Sequence, residues 1–193
     1  MSDIVGLLLA AGSASRFGSD KLRHSLPHGV PIAVQAARQL AAEVTQVIAV
    51  LRPGATDLLA QLKSEGCRVE TCENAAEGMG ASLACAARAA GKRAGYLVAL
   101  GDMPFIRRST IAAVRDALAA GAPLVAPYFH ARRGHPVGIS GRFFEELLSL
   151  SGDEGAKKLF AQEEGSVVKI PVGDPGVIRD IDTPQDLFPP LRI

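Results

Sequence analysis

Length, composition and charge place this chain among ordinary globular proteins and exclude several classes of function. With 193 residues it is long enough for one α/β domain, and we expect a single domain over residues 1–193. The net charge is +1, tryptophan is absent, and only 5% of the residues are aromatic. A chain without a basic field or stacking platforms is not expected to bind nucleic acid.

The cysteines and the N-terminal apolar run both favour a cytoplasmic protein. The chain has three cysteines, Cys67, Cys72 and Cys85, and their spacing is not that of metal ligands. An odd number of cysteines without such spacing is typical of free thiols in a reducing compartment. The run Ile4–Ala11 follows Asp3 rather than positive residues, and it is too short to cross a bilayer. We therefore expect a cytoplasmic location and no membrane partner.

The predicted elements alternate between strands and helices along most of the chain. Apolar runs predict strands at 4–10, 46–51, 68–72, 96–100 and 124–128, and helical periodicity predicts helices at 31–43, 56–65, 80–90 and 109–120. A basic loop at 130–136 precedes predicted strands at 137–140 and 167–172 and helices at 142–150 and 155–162. This alternation predicts an α/β fold with a Rossmann-like, mostly parallel, doubly wound sheet in three layers. Ligands of such sheets bind at the carboxyl ends of the strands.

The first predicted strand runs into a loop of small residues that indicates an anion site. Residues 7–21 read LLLAAGSASRFGSDK. Small residues leave backbone N–H groups accessible to an anion, and Arg16 and Lys21 add two positive charges. The spacing fits neither a Walker A loop nor a dinucleotide fingerprint. We expect the loop to hold nucleotide phosphates; an ordinary strand-to-helix turn with two solvated cations is the alternative.

Carboxylates follow the fourth predicted strand and recur near the C-terminus. Asp102 comes just past YLVAL, where a carboxylate needs a partner such as Mg²⁺, although a turn or helix cap would also explain it. Asp180 and Asp182 are two residues apart, so in an extended chain they share one face. Either or both would complete a Mg²⁺ site with Asp102. Alternatively, Asp182 or Thr183 caps a helix that begins at Pro184.

Five motifs, taken together, resemble those of the molybdopterin nucleotidyltransferase family (MobA-like NTP transferases). They are LAAGSASRFGSDK, Asn74…Gly78-Met79…Ser82, GDMPF, GHPV and DIDTPQDL, and the likeness spans about residues 4–187. LAAG, the GHP loop and Asp-x-Asp are similar to the cytidylyl branch of the family. The resemblance implies a nucleotidyltransferase fold and the transfer of CMP from CTP to the terminal phosphate of molybdopterin, with release of pyrophosphate.

The resemblance also implies roles for residues that bind the nucleotide. The small-residue loop would hold the triphosphate of CTP, and Arg16 and Lys21 would neutralise its charge. Together with Asp102, these two cations form the implied catalytic set. The implied nucleotide-binding residues are Leu9, Ala10, Ala11, Gly12, Ser13, Arg16, Lys21, Asn74, Gly78 and Ser82.

The metal and acceptor sites are implied in the same way. Mg²⁺ would bind Asp102 and Asp182, with Asp180 as a further candidate ligand. His135 and Pro136 would face the acceptor. A client molybdenum hydroxylase is a further implied partner.

The residue types suit this chemistry, but two other functions stay open. A phosphate monoester is already largely ionised at neutral pH, so its attack on phosphorus needs positioning and cations rather than a general base. The first alternative is a different cytidylyl-, guanylyl- or uridylyltransferase that acts on a phosphorylated small molecule. The second is a non-catalytic protein that holds the molybdenum cofactor or senses a nucleotide.

Overall fold

The computed structural model describes residues 3–12, 21–153 and 155–188, and a sheet of eight strands runs through its centre. The strands are β1 (Ile4–Leu9), β2 (Val47–Leu51), β3 (Arg68–Thr71), β4 (Gly95–Leu100), β5 (Leu124–Phe129), β6 (Arg132–Arg133), β7 (Val137–Ser140) and β8 (Val167–Pro171). Their order is β3-β2-β1-β4-β7-β5-β6, and β8 also pairs with β5.

Six strands share one direction, and β6 and β7 oppose it. The neighbouring pairs β3–β2, β2–β1, β1–β4 and β5–β8 are parallel, whereas β7 is antiparallel to both β4 and β5. The carboxyl ends of β1, β2, β4 and β5 therefore meet at one edge of the sheet. The predicted mostly parallel, doubly wound sheet is confirmed.

Helices cover both faces of the sheet, which gives three layers. The helices are α1 (Ile32–Ala41), α2 (Thr56–Ser64), α3 (Met79–Ala90), α4 (Arg108–Ala119), α5 (Phe144–Leu148) and α6 (Lys157–Gln162). Apolar side chains of α1, α2 and α4 belong to one core cluster, and those of α3, α5 and α6 belong to the other. None of the helices that the structure describes is long and apolar enough to span a membrane.

Alternation along β1 decides which side chains reach which layer. All six residues of the strand are buried, as expected for a parallel strand covered on both faces. Leu8 and Ala10 pack in the cluster with α1, whereas Leu9 and Ala11 pack in the cluster with α3. Successive side chains of a strand point to opposite faces, so the end of β1 offers Leu9 and Ala11 to the α3 side.

The structure differs from the predicted elements mainly after β5. The predicted helix 142–150 is a 3₁₀ turn over Gly141–Phe143 followed by the short α5, and the helix predicted to begin at 155 begins at Lys157. The predicted basic loop contains β6, which forms a hairpin with β5. His130 and Ala131 make its two-residue turn with positive φ at both positions, a turn that usually uses Asn-Gly.

Candidate active site

Asp102 is fixed at the carboxyl end of β4, beside the end of β1. The Gly101 N–H donates a hydrogen bond to the Leu9 carbonyl at 2.8 Å, which ties the chain after β4 to β1. A Cβ on Gly101 would lie 3.0 Å from the Ala10 Cβ, so the absence of a side chain permits this close approach. Asp102 therefore stands where the small-residue loop leaves β1.

A segment near the C-terminus adds a second carboxylate at the same place. The Ile181 N–H donates to the Asp102 carbonyl at 2.9 Å, and the Ile181 side chain is fully buried. Asp182 follows directly and so lies beside Asp102. Thr183 then caps a 3₁₀ turn that begins at Pro184, as the capping alternative predicted, and the Asp186 carboxylate accepts from the Thr183 N–H at 2.8 Å. The cap thus holds the segment that carries Asp182.

Lys21 joins the two carboxylates. Its Nζ lies 3.0 Å from Oδ2 of Asp102 and 2.9 Å from Oδ1 of Asp182. Only 12% of the Lys21 side chain is exposed. Residues 21, 102 and 182 come from three distant parts of the sequence, so this three-residue cluster is a product of the tertiary fold.

The electrostatics of the cluster favour a charged lysine. Burial alone lowers the pKa of Lys21, but the neighbouring Asp102 and Asp182 carboxylates outweigh it, so the pKa lies above the usual value. Oδ1 of Asp102 is buried and has no hydrogen-bond partner among the described residues. A buried carboxylate oxygen without a partner is costly, so this atom is available to a further cation.

A cavity of about 650 Å³ opens beside the cluster. Its wall includes ends of β1, β2 and β4, the start of α3, and a turn before α6. The lining residues are Leu9, Ala11, Gly12, Lys21, Leu22, Arg52, Pro53, Glu73, Ala75, Ala76, Gly78, Met79, Ser82, Leu100, Asp102 and Asp153. This volume is in the range of small-molecule sites, and we refer to it as the nucleotide cavity because the sequence motifs predict that a nucleotide binds here.

Two glycines at the start of α3 close one wall of the cavity. The Gly80 N–H donates to the Gly152 carbonyl at 2.7 Å, and a Cβ on Gly80 would lie 2.5 Å from the Ser151 carbonyl oxygen. Gly78 has φ +125 and packs directly against Gly152 and Asp153. Glycine is required at both positions because the backbone of residues 151–153 leaves no room for a side chain.

This geometry agrees with the comparison to known proteins. Residues 6–167 match the family described as the MobA-like NTP transferase domain. The chain belongs to this family. The matched range contains Lys21 and Asp102, and Asp182 lies beyond it.

Two relatives of this MobA-like chain extend over nearly its whole length. This chain is 29% identical over 195 residues to nicotine blue oxidoreductase of Paenarthrobacter nicotinovorans, and the match covers 96% of this chain and 95% of the relative. This chain is also 26% identical over 195 residues to the purine catabolism protein PucB of Bacillus subtilis (strain 168), and the match covers 95% of this chain and 93% of the relative.

Solved structures show the same fold. The crystal structure of Rv0371c from Mycobacterium tuberculosis H37Rv has a TM-score of 0.80 and 25% identity, and the match covers 96% of both chains. A second crystal structure of Rv0371c, in complex with manganese, has a TM-score of 0.79 and 26% identity, again covering 96% of both chains. A protein similar to this one has therefore been crystallised with manganese.

Most of the residues predicted to bind the nucleotide line the cavity. Those that do are Leu9, Ala11, Gly12, Lys21, Gly78 and Ser82. Ala10 is buried in the opposite core cluster, because it alternates with Leu9 and Ala11 along the strand. Its N–H donates to the Val50 carbonyl at 3.0 Å, so this group is occupied within the sheet. Ser13 and Arg16 lie outside the described residues.

Asn74 lies next to the cavity but does not line it. Its side chain forms hydrogen bonds with neighbouring residues instead. Its side chain is exposed, donates to Glu77 at 3.3 Å and accepts from the Cys72 thiol at 3.2 Å. Ser82, in contrast, is buried, and its hydroxyl donates to the Gly78 carbonyl at 3.3 Å. Asn74 therefore orders the turn before α3, and the contact with a base stays a prediction.

The structure brings two of the three predicted metal ligands together and leaves the third apart. Asp102 and Asp182 meet at Lys21, but Asp180 is exposed and forms no ion pair with a described residue. The buried Ile181 lies between the two acids and holds the chain on the Asp102 backbone. The structure therefore places Asp182 at the cluster and leaves Asp180 exposed to solvent, so the two acids do not act on one shared face as their spacing predicted.

His135 and Pro136 stand outside the nucleotide cavity, near the start of β7. The His135 N–H donates to the Val177 carbonyl at 2.8 Å, and its Nδ1 is buried without a described partner. Burial lowers the pKa of His135 to about 4; the Val98 backbone opposes this effect, and Arg133 and Lys157 add to it. The imidazole is therefore neutral at physiological pH. Contact with an acceptor stays a prediction for both residues.

Sequence reasoning missed several lining residues, and the signals differ. Arg52 and Pro53 follow β2 directly, so the rule that ligands bind at the carboxyl ends of parallel strands would have included them. Asp153 comes from the turn after α5 and meets the cavity only through its contact with Gly78. No local pattern predicts that contact.

The donor set fits a magnesium ion. The described residues contain no group of three or more His, Cys, Asp or Glu side chains that would hold a metal by themselves. Mg²⁺ commonly binds one or two carboxylates together with substrate phosphates. Asp102, with its unpartnered Oδ1, lines the cavity, and Asp182 supplies a second carboxylate that meets it at Lys21.

Proposed function

We propose that this protein transfers CMP from CTP to the terminal phosphate of molybdopterin and releases pyrophosphate. The observation that carries the proposal is the cluster in which Lys21 contacts Asp102 and Asp182 beside the nucleotide cavity. The family match supports a nucleotidyltransferase, and the resemblance of the motifs to the cytidylyl branch supports CTP as the donor. The free thiols of all three cysteines support a cytoplasmic location.

The reaction needs charge compensation rather than a base. An oxygen of the acceptor phosphate forms a bond to the α-phosphorus of CTP, and the bond from that phosphorus to the oxygen of the departing pyrophosphate breaks. The acceptor phosphate is already ionised, so no side chain has to remove a proton. Lys21, kept protonated by its two carboxylate neighbours, presents a fixed positive charge to the phosphates.

The nucleotide cavity positions the two substrates. Gly12 and Ala11 offer backbone without bulky side chains at the end of β1, where a triphosphate fits against the chain. Asp102 and Asp182 would hold Mg²⁺, which when bound supplies positive charge beside the phosphates. Most of the rate enhancement in phosphoryl transfer comes from this kind of positioning and electrostatic stabilisation.

Pyrophosphate release measured with each of the four NTPs tests the proposal. Purified protein is incubated with Mg²⁺, molybdopterin and one NTP at a time, and reactions without acceptor or with EDTA serve as controls. We expect release that needs both acceptor and Mg²⁺ and is fastest with CTP. Fastest release with GTP or UTP would contradict CTP as the donor, but it would still support a nucleotidyltransferase.

Two other outcomes would overturn the proposal. Binding of CTP without any Mg²⁺-dependent turnover would support a protein that holds or senses the nucleotide. The relative named nicotine blue oxidoreductase motivates a second assay, in which nicotine blue is the electron acceptor, a reduced nicotinamide nucleotide is supplied as the electron donor, and the absorbance of nicotine blue is followed. Redox turnover without pyrophosphate release would support an oxidoreductase.

A further inference from the structure

The ammonium group of Lys21 lies at the point where two carboxylates converge. Its Nζ is 3.0 Å from Oδ2 of Asp102 and 2.9 Å from Oδ1 of Asp182. No other cation among the described residues forms an ion pair with either acid. Lys21 therefore contacts one oxygen of each of the two carboxylates that the site offers to a metal.

A divalent cation that joined Asp102 to Asp182 would compete with Lys21 for these oxygens. Mg²⁺ binds oxygen at about 2.0–2.1 Å, closer than the roughly 2.8 Å of an ammonium-to-carboxylate hydrogen bond. An ion between the two acids would therefore meet the ammonium at short range, where like charges repel strongly. The lysine and the ion consequently exclude each other from the space between the carboxylates.

The backbone of Lys21 is anchored, whereas its charged end has room to turn. Lys21 begins the 3₁₀ turn Lys21–Arg23, in which Leu22 is buried, and the His24 N–H donates to the Lys21 carbonyl at 3.0 Å. The ammonium itself is carried on a flexible four-carbon stem. Because Lys21 also lines the nucleotide cavity, rotation of this stem is enough to carry the charge from the acids to phosphates in the cavity.

The balance of charge favours the lysine as long as no nucleotide is bound. The ammonium and the two carboxylates leave one negative charge in excess, whereas an added divalent cation would leave one positive charge in excess. The Lys21 side chain is largely buried, so water does little to screen that excess. The phosphates of a nucleotide would compensate it and would give the ammonium new partners.

We propose that Lys21 is a built-in counter-ion that opposes metal binding until a nucleotide is present. With a nucleotide bound, the Lys21 ammonium turns to the phosphates, and the carboxylates of Asp102 and Asp182 become available to the metal. The inference rests on the proposed function, which calls for a metal and a nucleotide at this site. Lys21 thus acts in two opposite directions, because it favours turnover and weakens binding of the metal alone.

A titration of Mn²⁺ into the protein without nucleotide tests this role. Mn²⁺ prefers the same oxygen ligands as Mg²⁺, and the electron paramagnetic resonance signal of the unbound ion gives the Kd directly. Lys21→Met removes the charge and keeps a side chain of similar length. We expect its Kd for Mn²⁺ to be at least about 10-fold lower than that of the wild type, because no ammonium competes for the carboxylates.

Two further variants assign the gain in metal affinity to its cause. Arg23→Met removes a cation that belongs to the same turn but pairs with Asp57, so we expect it to keep the wild-type Kd. Lys21→Met combined with Asp182→Asn removes one of the released carboxylates, so we expect it to lose most of the gain. An equal gain in Arg23→Met, or a full gain in the double variant, would overturn the inference.

The titration of Lys21→Met itself has clear contrary outcomes. A Kd equal to that of the wild type would mean that the ion binds beside the ammonium without displacing it. A higher Kd, or no binding of Mn²⁺ to Lys21→Met, would mean that the lysine helps to form the metal site. Each of these results would overturn the inference.

Thermal unfolding gives a second measurement on the same proteins. Lys21→Met leaves two neighbouring acids without a counter-ion, so we expect Mn²⁺ to raise its Tm more than that of the wild type. An equal rise in both proteins would contradict the competition. If Lys21→Met does not fold, Lys21→Gln, which keeps a hydrogen-bond donor without the charge, takes its place in both measurements.

Both measurements use the protein without nucleotide, so they are independent of the pyrophosphate-release assay. Pyrophosphate release together with an equal Kd in wild type and Lys21→Met would overturn the counter-ion role and leave the proposed function standing. A lower Kd in Lys21→Met without any pyrophosphate release would support the competition between lysine and metal and overturn the proposed function.

Discussion

The two halves of the sheet differ in strand direction, in burial and in the side chains that they present. In the half formed by β3, β2, β1 and β4 all neighbours are parallel, and β1 and β2 are completely buried. In the other half, β7 runs against its neighbours, and β6 and β8 expose most of their side chains. The buried half holds small residues and acids in fixed positions, and the exposed half presents cations.

Under the proposed function, this difference would let one fold serve two substrates. The three strands β1, β2 and β4 of the parallel half have few polar side chains, and the chain that carries Asp102 past their carboxyl ends is held by the backbone hydrogen bond from Ile181 to Asp102. The other half carries Arg133 and Lys169 on strands that solvent reaches. We expect the first arrangement to serve the nucleotide of the proposed reaction.

The largest expected effect comes from the parallel half. Lys21→Ala removes the cation that both acids contact, and we expect turnover at saturating CTP to fall ~10²-fold or more, because a fixed charge at the reacting phosphates is lost. Arg23→Ala is the matched control, since Arg23 is an exposed member of the same turn and pairs with Asp57. Near-normal turnover of Lys21→Ala would show that the buried half does not supply the catalytic charge.

The second largest effect is expected where the start of α3 packs against the turn at residues 151–153, and it concerns stability. Gly80→Ala places a Cβ about 2.5 Å from the Ser151 carbonyl, so α3 or the turn before α6 must move. We expect a loss of about 1–3 kcal/mol in the free energy of unfolding, measured by urea titration. Gly173→Ala is the control because a Cβ there meets nothing within 4 Å. Equal stability of the two variants would mean that the start of α3 packs loosely against residues 151–153.

The last expected effect is a pH dependence of stability from His135 in the exposed half. Because the folded pKa of about 4 lies below the unfolded value of about 6.5, the unfolded chain binds more protons between these values. The stabilisation is therefore fully present above pH 6.5 and is lost as the pH falls towards 4. We expect His135→Asn to flatten this slope in urea titrations between pH 4 and 7. An unchanged slope would assign the acid sensitivity to other groups.

The sequence predicted the buried half of the fold better than the exposed half, for a physical reason. Strands such as QVIAVL are continuous apolar runs, because a parallel strand is covered on both faces, and such runs are visible in a single sequence. The hairpin of β5 and β6 turns at His130-Ala131, which lacks the glycine or asparagine that normally marks such turns. It was therefore predicted as a loop.

The candidate site was predictable where a residue follows a strand directly. Asp102, Gly12 and Ala11 were placed at the sheet edge by the ends of the β4 and β1 strands. The choice between Asp180 and Asp182 was not predictable, because it depends on the Ile181 backbone bonding to Asp102. The same holds for Asp153, which reaches the cavity through a contact between distant turns.

Calorimetric titration of CTP, with and without Mg²⁺, into the wild-type, Asp102→Asn and Asp182→Asn proteins tests the central claim most directly. The claim is that residues from three distant segments form one site for the nucleotide and its metal. We expect Mg²⁺ to strengthen CTP binding to the wild-type protein and to have little effect on either variant. A Mg²⁺ effect that persists in both variants would contradict the claim.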